Sequence, residues 1–129
     1  MQMNDITRWF HLLAAMVWIG GMITVAAIVP ALRASGVSRE QLRAMARRYG
    51  LVSWIAMALS VVTGIAQTLR LDVELSAALA IKLVLVSIAV MLAFAHREIA
   101  RHSGPALRGA MEGALLVVSL GILAAAVAV

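Results

Sequence analysis

Four long apolar stretches, separated by short polar segments, restrict this 129-residue chain to very few folds. A helix needs about 20 mostly apolar residues to cross a bilayer, and each stretch comes close to that length. Hydrophobic residues make up 64% of the chain and charged residues only 13%, whereas a soluble domain has about 25% charged residues. A soluble core of this size could not bury so much apolar surface. The predicted spans cover about residues 9–32, 51–69, 75–95 and 113–129.

These spans predict an all-α fold, an integral membrane four-helix transmembrane bundle that forms a single domain over residues 1–129. Pro30 is expected to end the first helix, because proline removes a backbone N–H and clashes with the preceding turn. The chain contains no cysteine, so a disulfide or a thiolate metal site is excluded.

The segment between the first two spans is basic and carries a helix-start signal. Ser38 and Gln41 have the spacing of a capping box, in which each side chain bonds the other residue's backbone N–H. A basic cytoplasmic helix is therefore predicted over about 38–49. No proline separates this helix from the second span, so the two should be continuous. Four arginines would lie on its surface: Arg39, Arg43, Arg47 and Arg48.

The distribution of arginine predicts the orientation in the membrane. Cytoplasmic loops of membrane proteins carry an excess of Arg and Lys. The first and third loops are rich in arginine, whereas the second balances Arg70 against acidic residues. We therefore expect both termini outside, in a multi-pass protein of a cell membrane such as a bacterial inner membrane. The net charge of +5 then indicates contact with anionic lipid headgroups rather than nucleic acid, and a homo-oligomer is left open.

Three polar side chains within the spans are predicted to lie at one depth, in the outer half of the bundle. Such residues are costly in lipid and usually face a bundle interior or an aqueous cavity. His11 lies near the outer end of the first helix, Gln67 in the outer half of the second, and Lys82 about two turns into the third. His11 shares a helical stripe with Trp18. The second helix has a stripe of small and polar residues, which favours helix contact: Ser53, Ala56, Ser60, Thr63 and Gln67.

Methionine suggests one possible metal chemistry for this region. Thioether sulfur is a soft ligand that suits Cu(I), and Met3 and Met16 come near His11 in depth. The chain has eight methionines in all, and most are scattered along it, as expected for residues that fill gaps in packing. A copper site of His11 with Met3 and Met16 is therefore one hypothesis.

The order of several short motifs resembles that of a known membrane family. His11 is followed by Trp-Ile-Gly-Gly over 18–21, by Thr-Gly over 63–64 in the second span, and by Lys82 and a leucine in the third. This order resembles the copper-resistance D (CopD) membrane domain over essentially the whole chain. It is also similar to the HemJ-type protoporphyrinogen oxidases, which are four-helix heme proteins. The second resemblance implies that His11 and Lys82 are a functional pair.

The charge of the neighbouring side chains distinguishes the heme hypothesis from the copper hypothesis at this site. Heme propionates are anionic, so Lys82, together with Arg8 or Arg70, could pair with them, whereas the same cations would repel copper. We therefore expect heme b, with His11 as axial ligand of the iron and with Trp18 and Gln67 beside it. A copper-handling protein and a cofactor-free structural or accessory subunit are the alternatives. Redox activity and enzymatic activity are left open.

Overall fold

The computed structural model describes residues 2–70 and 74–128, which form four helices and no strand. Helix α1 spans Met3–Ala34, α2 spans Arg39–Arg70, α3 spans Ala77–Ile99 and α4 spans Pro105–Ala128. Each of them is long and apolar enough to cross a membrane. The prediction of an all-α chain with membrane-spanning helices is confirmed at this level. Val129, the predicted end of the fourth span, lies outside the described residues, as does the part of the second loop at 71–73.

Packing divides the chain into two compact units, Met1–Val73 and Glu74–Val129. Helix α1 packs along α2 in the first unit, and α3 packs along α4 in the second. Each unit is therefore a helical hairpin. Most of the candidate residues from the sequence lie in the first hairpin, whereas Lys82 lies in the second.

The end of α1 is not where proline predicts it, and that expectation is wrong. Pro30 lies inside the helix, which continues to Ala34. Proline costs a helix one backbone donor, and a helix in a membrane can tolerate it because neighbouring groups take up the freed carbonyl. The turn that follows Ala34 is instead formed at Gly36, whose φ is 85°. The N–H groups of Gly36 and Val37 donate to the carbonyls of Arg33 and Leu32, each at 3.2 Å, which is the Schellman arrangement.

The capping box predicted for α2 is present. The backbone N–H of Gln41 donates to Ser38 Oγ at 3.2 Å, and that of Ser38 donates to Gln41 Oε1 at 3.1 Å. From there α2 runs without a break to Arg70, so the predicted continuity of the basic segment with the second span is confirmed. At 1.5 Å per residue, a helix of 32 residues is about 48 Å long, well above the hydrocarbon thickness of about 30 Å. Helix α2 is therefore longer than a span perpendicular to the bilayer requires.

The second hairpin is held by small buried residues. Ala89 of α3 and Ser119 of α4 are both completely buried, and the Ser119 hydroxyl donates to the Leu115 carbonyl at 2.7 Å. This internal bond satisfies the hydroxyl in an apolar environment, so the serine costs little there. Helix α4 begins at Pro105, ahead of the predicted residue 113, because proline suits the first position of a helix.

The outer surfaces of the helices are apolar. Val62, Met91 and Val117 are each more than 60% exposed, although they belong to residue types that soluble proteins usually bury. A lipid bilayer is the environment with which such a surface is compatible.

Candidate functional site

The imidazole of His11 on α1 is held against the backbone and side chains of α2. Its Nδ1 lies 2.8 Å from the carbonyl oxygen of Ser60 and 3.1 Å from Oγ1 of Thr63. Both partners are buried, at 9% and 8% exposure. The ring is therefore oriented from one side by a specific pair of oxygen atoms.

These contacts determine which ring nitrogen carries the proton. The carbonyl of Ser60 can only accept a hydrogen bond, so Nδ1 must be the donor. The Thr63 hydroxyl donates its own proton to the carbonyl of Leu59 at 2.6 Å and can accept the same Nδ1–H. In the neutral imidazole the lone pair is then on Nε2, which is the atom able to bind a metal. A backbone carbonyl that orients Nδ1–H is a common second partner of metal-ligating histidines.

A glycine on α2 makes room for the ring. A Cβ atom at Gly64 would lie 3.2 Å from Cε1 of His11 and 3.6 Å from its Nδ1. The first of these distances is too short for a relaxed contact, so any side chain here would push the ring away from its oxygen partners. Gly64 therefore permits the close approach of His11 to α2.

The buried faces of the hairpin continue inward from His11. Trp18 is buried, as its stripe predicted, and Ala14 is buried between the two. On α2 the predicted small and polar stripe is confirmed for Ala56, Ser60 and Thr63, which are all buried. At 1.5 Å per residue, Trp18 lies about 10 Å along α1 from His11, so buried apolar surface extends at least that far inward from the imidazole.

A cavity of about 180 Å³ lies at the same end of the hairpin, one helical turn beyond His11. Six residues line it, three of which the sequence selected as candidates: Asn4, Asp5, Thr7, Arg8, Gln67 and Arg70. The structure therefore brings Arg8, Gln67 and Arg70 together, although they come from opposite ends of a long stretch of chain.

One buried polar atom in this region has no partner. Nε2 of Gln67 is buried and makes no hydrogen bond among the described residues. Asp5 lines the same cavity but its Oδ2 accepts the backbone N–H of Gln2 at 3.0 Å, so part of its hydrogen-bonding capacity is used in capping α1. A buried amide donor without an acceptor is costly, and a bound group would remove that cost.

Aromatic residues surround this end of the hairpin. Trp9 and Phe10 are about half exposed, and their rings meet edge to face with centroids 5.0 Å apart. Exposed aromatic residues of this kind are enriched at the membrane–water boundary. The exposed aromatic pair is therefore compatible with a membrane interface at this end of the hairpin.

Lys82 lies half-buried on α3, in the second hairpin. It makes no hydrogen bond or ion pair within the described ranges 2–70 and 74–128, and its pairing with His11 stays a prediction.

The other two histidines of the chain also belong to this second hairpin. Nε2 of His96 lies 3.6 Å from the Glu112 carboxylate, and His102 is exposed in the connection between α3 and α4.

The residues suggested for copper are not gathered around His11. Met3 and Met16 are 68% and 64% exposed, so their thioethers lie mostly on the outer surface of the hairpin. The described part of the chain also holds no cluster of three or more His, Asp or Glu residues able to bind a metal ion. A heme would need only one or two axial ligands from the protein, and a single oriented histidine could supply one of them.

Comparisons with protein-family models, curated proteins and solved structures found no match to this chain. What the protein can do is therefore inferred from its own residues and geometry.

Sequence reasoning did not assign the partners of His11. Ser60 and Thr63 belonged to a stripe expected to serve only in packing, and Ser60 acts through its backbone, which no side-chain pattern reveals. The signal that could have found them is the combination of the small and polar stripe on α2 with Gly64, since glycine beside polar residues often marks a close approach.

Proposed function

We propose that this is a multi-pass protein of a cell membrane that binds heme b through His11, in the manner of the HemJ-type family, one of the two families that its motifs resemble. A bacterial inner membrane is the proposed location. The observation that carries the proposal is the pair of hydrogen bonds from Nδ1–H of His11 to Ser60 and Thr63. They orient the ring and leave the lone pair on Nε2, as an axial ligand of iron requires.

The residues of the chain have separate tasks in this proposal. Ser60 and Thr63 orient the imidazole, and Gly64 provides the space for it. Ala14 and Trp18 supply buried apolar surface on the inward side of His11. Arg8 and Arg70 lie at the interface end of the same hairpin, where they can pair with carboxylates. Bound heme would supply reversible one-electron chemistry, and no reaction is assigned to the protein.

Copper has less support than heme at this site. Two arginines line the cavity one turn from His11, and their charge repels a cation. Met3 and Met16 would have to turn inward from exposed positions to complete a copper site. A cofactor-free accessory subunit would leave the orienting bonds of His11 with a role in packing alone.

The test is the absorption spectrum of the protein purified from heme-replete cells, in the parent and in His11→Ala. We expect a Soret band in the parent and its loss, or a clear shift, in the variant, because the axial nitrogen is removed. His102→Ala is the matched control, since His102 is an exposed residue of a connection, and it should keep the parental band.

Three results would count against the proposal. A parent protein without a Soret band but with one copper per chain by elemental analysis would favour the copper alternative. A parent with neither heme nor copper would favour the accessory subunit. A Soret band that persists in His11→Ala but disappears in His96→Ala would show that the heme is bound in the second hairpin.

A further inference from the structure

The cavity at the interface end of the first hairpin has features that the packing of the two helices does not require. Arg8 and Arg70 both line it, together with Gln67. Two like charges in one cavity repel each other, and only Asp5 among the lining residues carries the opposite sign. The lining therefore has a net charge of +1, and the positive end of the α1 dipole lies at the same place.

The amide of Gln67 provides an independent indication of a binding site for a polar group. Its Nε2 is buried and lacks an acceptor among the described residues, whereas buried donors in proteins are nearly always bonded. Gln67 also lines the cavity, so a turn of its amide toward an oxygen atom held there would satisfy the donor. Because the cavity is also positively charged, the best occupant is an oxygen that belongs to an anion.

We propose that this cavity binds one oxyanion group of a membrane-embedded amphiphile. The amide of Gln67 donates a hydrogen bond to it, and Arg8 and Arg70 provide charge-assisted bonds, which the planar guanidinium forms well with carboxylate and phosphate. The aromatic pair of Trp9 and Phe10 places the cavity at the depth where lipid headgroups and the polar edge of an amphiphilic ring lie.

Two sources can supply this chemistry. One is the phosphate of a phospholipid, and the other is a propionate of heme. Only the second source rests on the proposed function. The first requires no ligand at His11, so the two proposals can fail separately.

The lipid arm uses heme-free protein in detergent with phosphatidylglycerol, and measures lipid bound per chain by native mass spectrometry. We expect one lipid retained by the parent. Gln67→Glu should lower the apparent affinity at least about tenfold, since the new carboxylate occupies the cavity and pairs with the arginines. This near-isosteric variant should unfold at the same temperature as the parent or higher. Arg70→Gln provides a second variant, with the same expected loss of lipid.

The heme arm compares heme with its dimethyl ester, in which both propionates are neutral. If a propionate occupies the cavity, the parent should bind heme at least about tenfold more tightly than the ester, and Gln67→Glu should remove that preference. Arg33→Gln is the control in both arms, because Arg33 is an exposed arginine at the opposite end of α1. It should behave like the parent.

The two arms together decide the proposal. If the variants lose bound lipid but keep the preference for heme over its ester, the cavity is a headgroup site. If they lose only that preference, it is a propionate site. Either outcome supports an oxyanion cavity. The proposal is overturned if Gln67→Glu and Arg70→Gln match Arg33→Gln in both arms. It is also overturned if the parent retains phosphatidylglycerol and neutral diacylglycerol equally and does not distinguish heme from its ester.

Discussion

At the scale of single residues, the imidazole of His11 is held by specific contacts between two helices. A histidine in an apolar helix is costly unless its polar atoms are bonded, and His11 meets this requirement through α2. The short contact to the Ser60 carbonyl assigns the Nδ1 proton, while Gly64 sets how closely the ring can approach. The state of this ring can be measured without any ligand.

Nitrogen-15 NMR of the imidazole in heme-free protein tests this arrangement. We expect His11 to show a protonated Nδ1 and an unprotonated Nε2 at neutral pH. Gly64→Ala should change the His11 signals, because the new Cβ would lie 3.2 Å from Cε1 and displace the ring. Gly20→Ala is the control, since a Cβ there meets nothing within 4 Å. Identical His11 spectra for the two variants would contradict the close packing against α2.

At the scale of secondary-structure elements, the turn between α1 and α2 is determined by backbone conformation rather than by proline. Gly36 adopts a left-handed conformation, which most residues adopt only at a cost of roughly 1–2 kcal/mol. The turn leads directly to the capping box of Ser38 and Gln41. One short segment therefore ends one long helix and begins the next.

Two alanine substitutions with opposite expected effects test the turn. Gly36→Ala should lower the free energy of unfolding by about 1 kcal/mol, because alanine is strained at a positive φ. Gly50→Ala should raise it by up to about 1 kcal/mol, because Gly50 is helical and a Cβ there meets open space. Unfolding in mixed detergent would measure both. A stabilising Gly36→Ala would show that the left-handed turn is not what ends α1.

At the scale of the whole molecule, charge and apolar length describe a multi-pass membrane protein with a preferred orientation. The end of α1 and the first part of α2 carry a dense group of arginines: Arg33, Arg39, Arg43, Arg47 and Arg48. The opposite end of the same hairpin carries Arg8 and Arg70. The bias toward arginine on both sides of the α1–α2 connection predicts that this connection faces the cytoplasm, with both termini outside. This orientation would place His11 in the outer half of the membrane.

Reporter fusions test this orientation. Alkaline phosphatase fused after the last residue should be active, because it folds only outside the cytoplasm, whereas green fluorescent protein at the same position should be dark. The same reporters inserted at Gly36 should give the reverse pattern. Fluorescence from the C-terminal fusion would contradict the predicted orientation. It would show that His11 and its neighbouring cavity lie on the cytoplasmic side.

The fold class and the helix count over the described residues were predictable because lipid imposes a simple rule on sequence. A spanning helix must satisfy its backbone internally and present apolar side chains, so length and hydropathy are enough to find it. The start of α2 was predictable for a similar reason, since a capping box joins residues three apart. The end of α1 was not, because the effect of Pro30 depends on whether the surrounding structure takes up the lost bond.

What the sequence determined by itself was local: where helices lie, how one begins, and which residues are too polar for lipid. The tertiary structure alone decided which polar groups meet. The contact of His11 with the backbone of Ser60 joins residues 49 positions apart, and the cavity combines Arg8 with Gln67 and Arg70. Such contacts depend on the rotation and depth of one helix against another. These are set by the packing of many side chains together, so no short pattern in the chain encodes them.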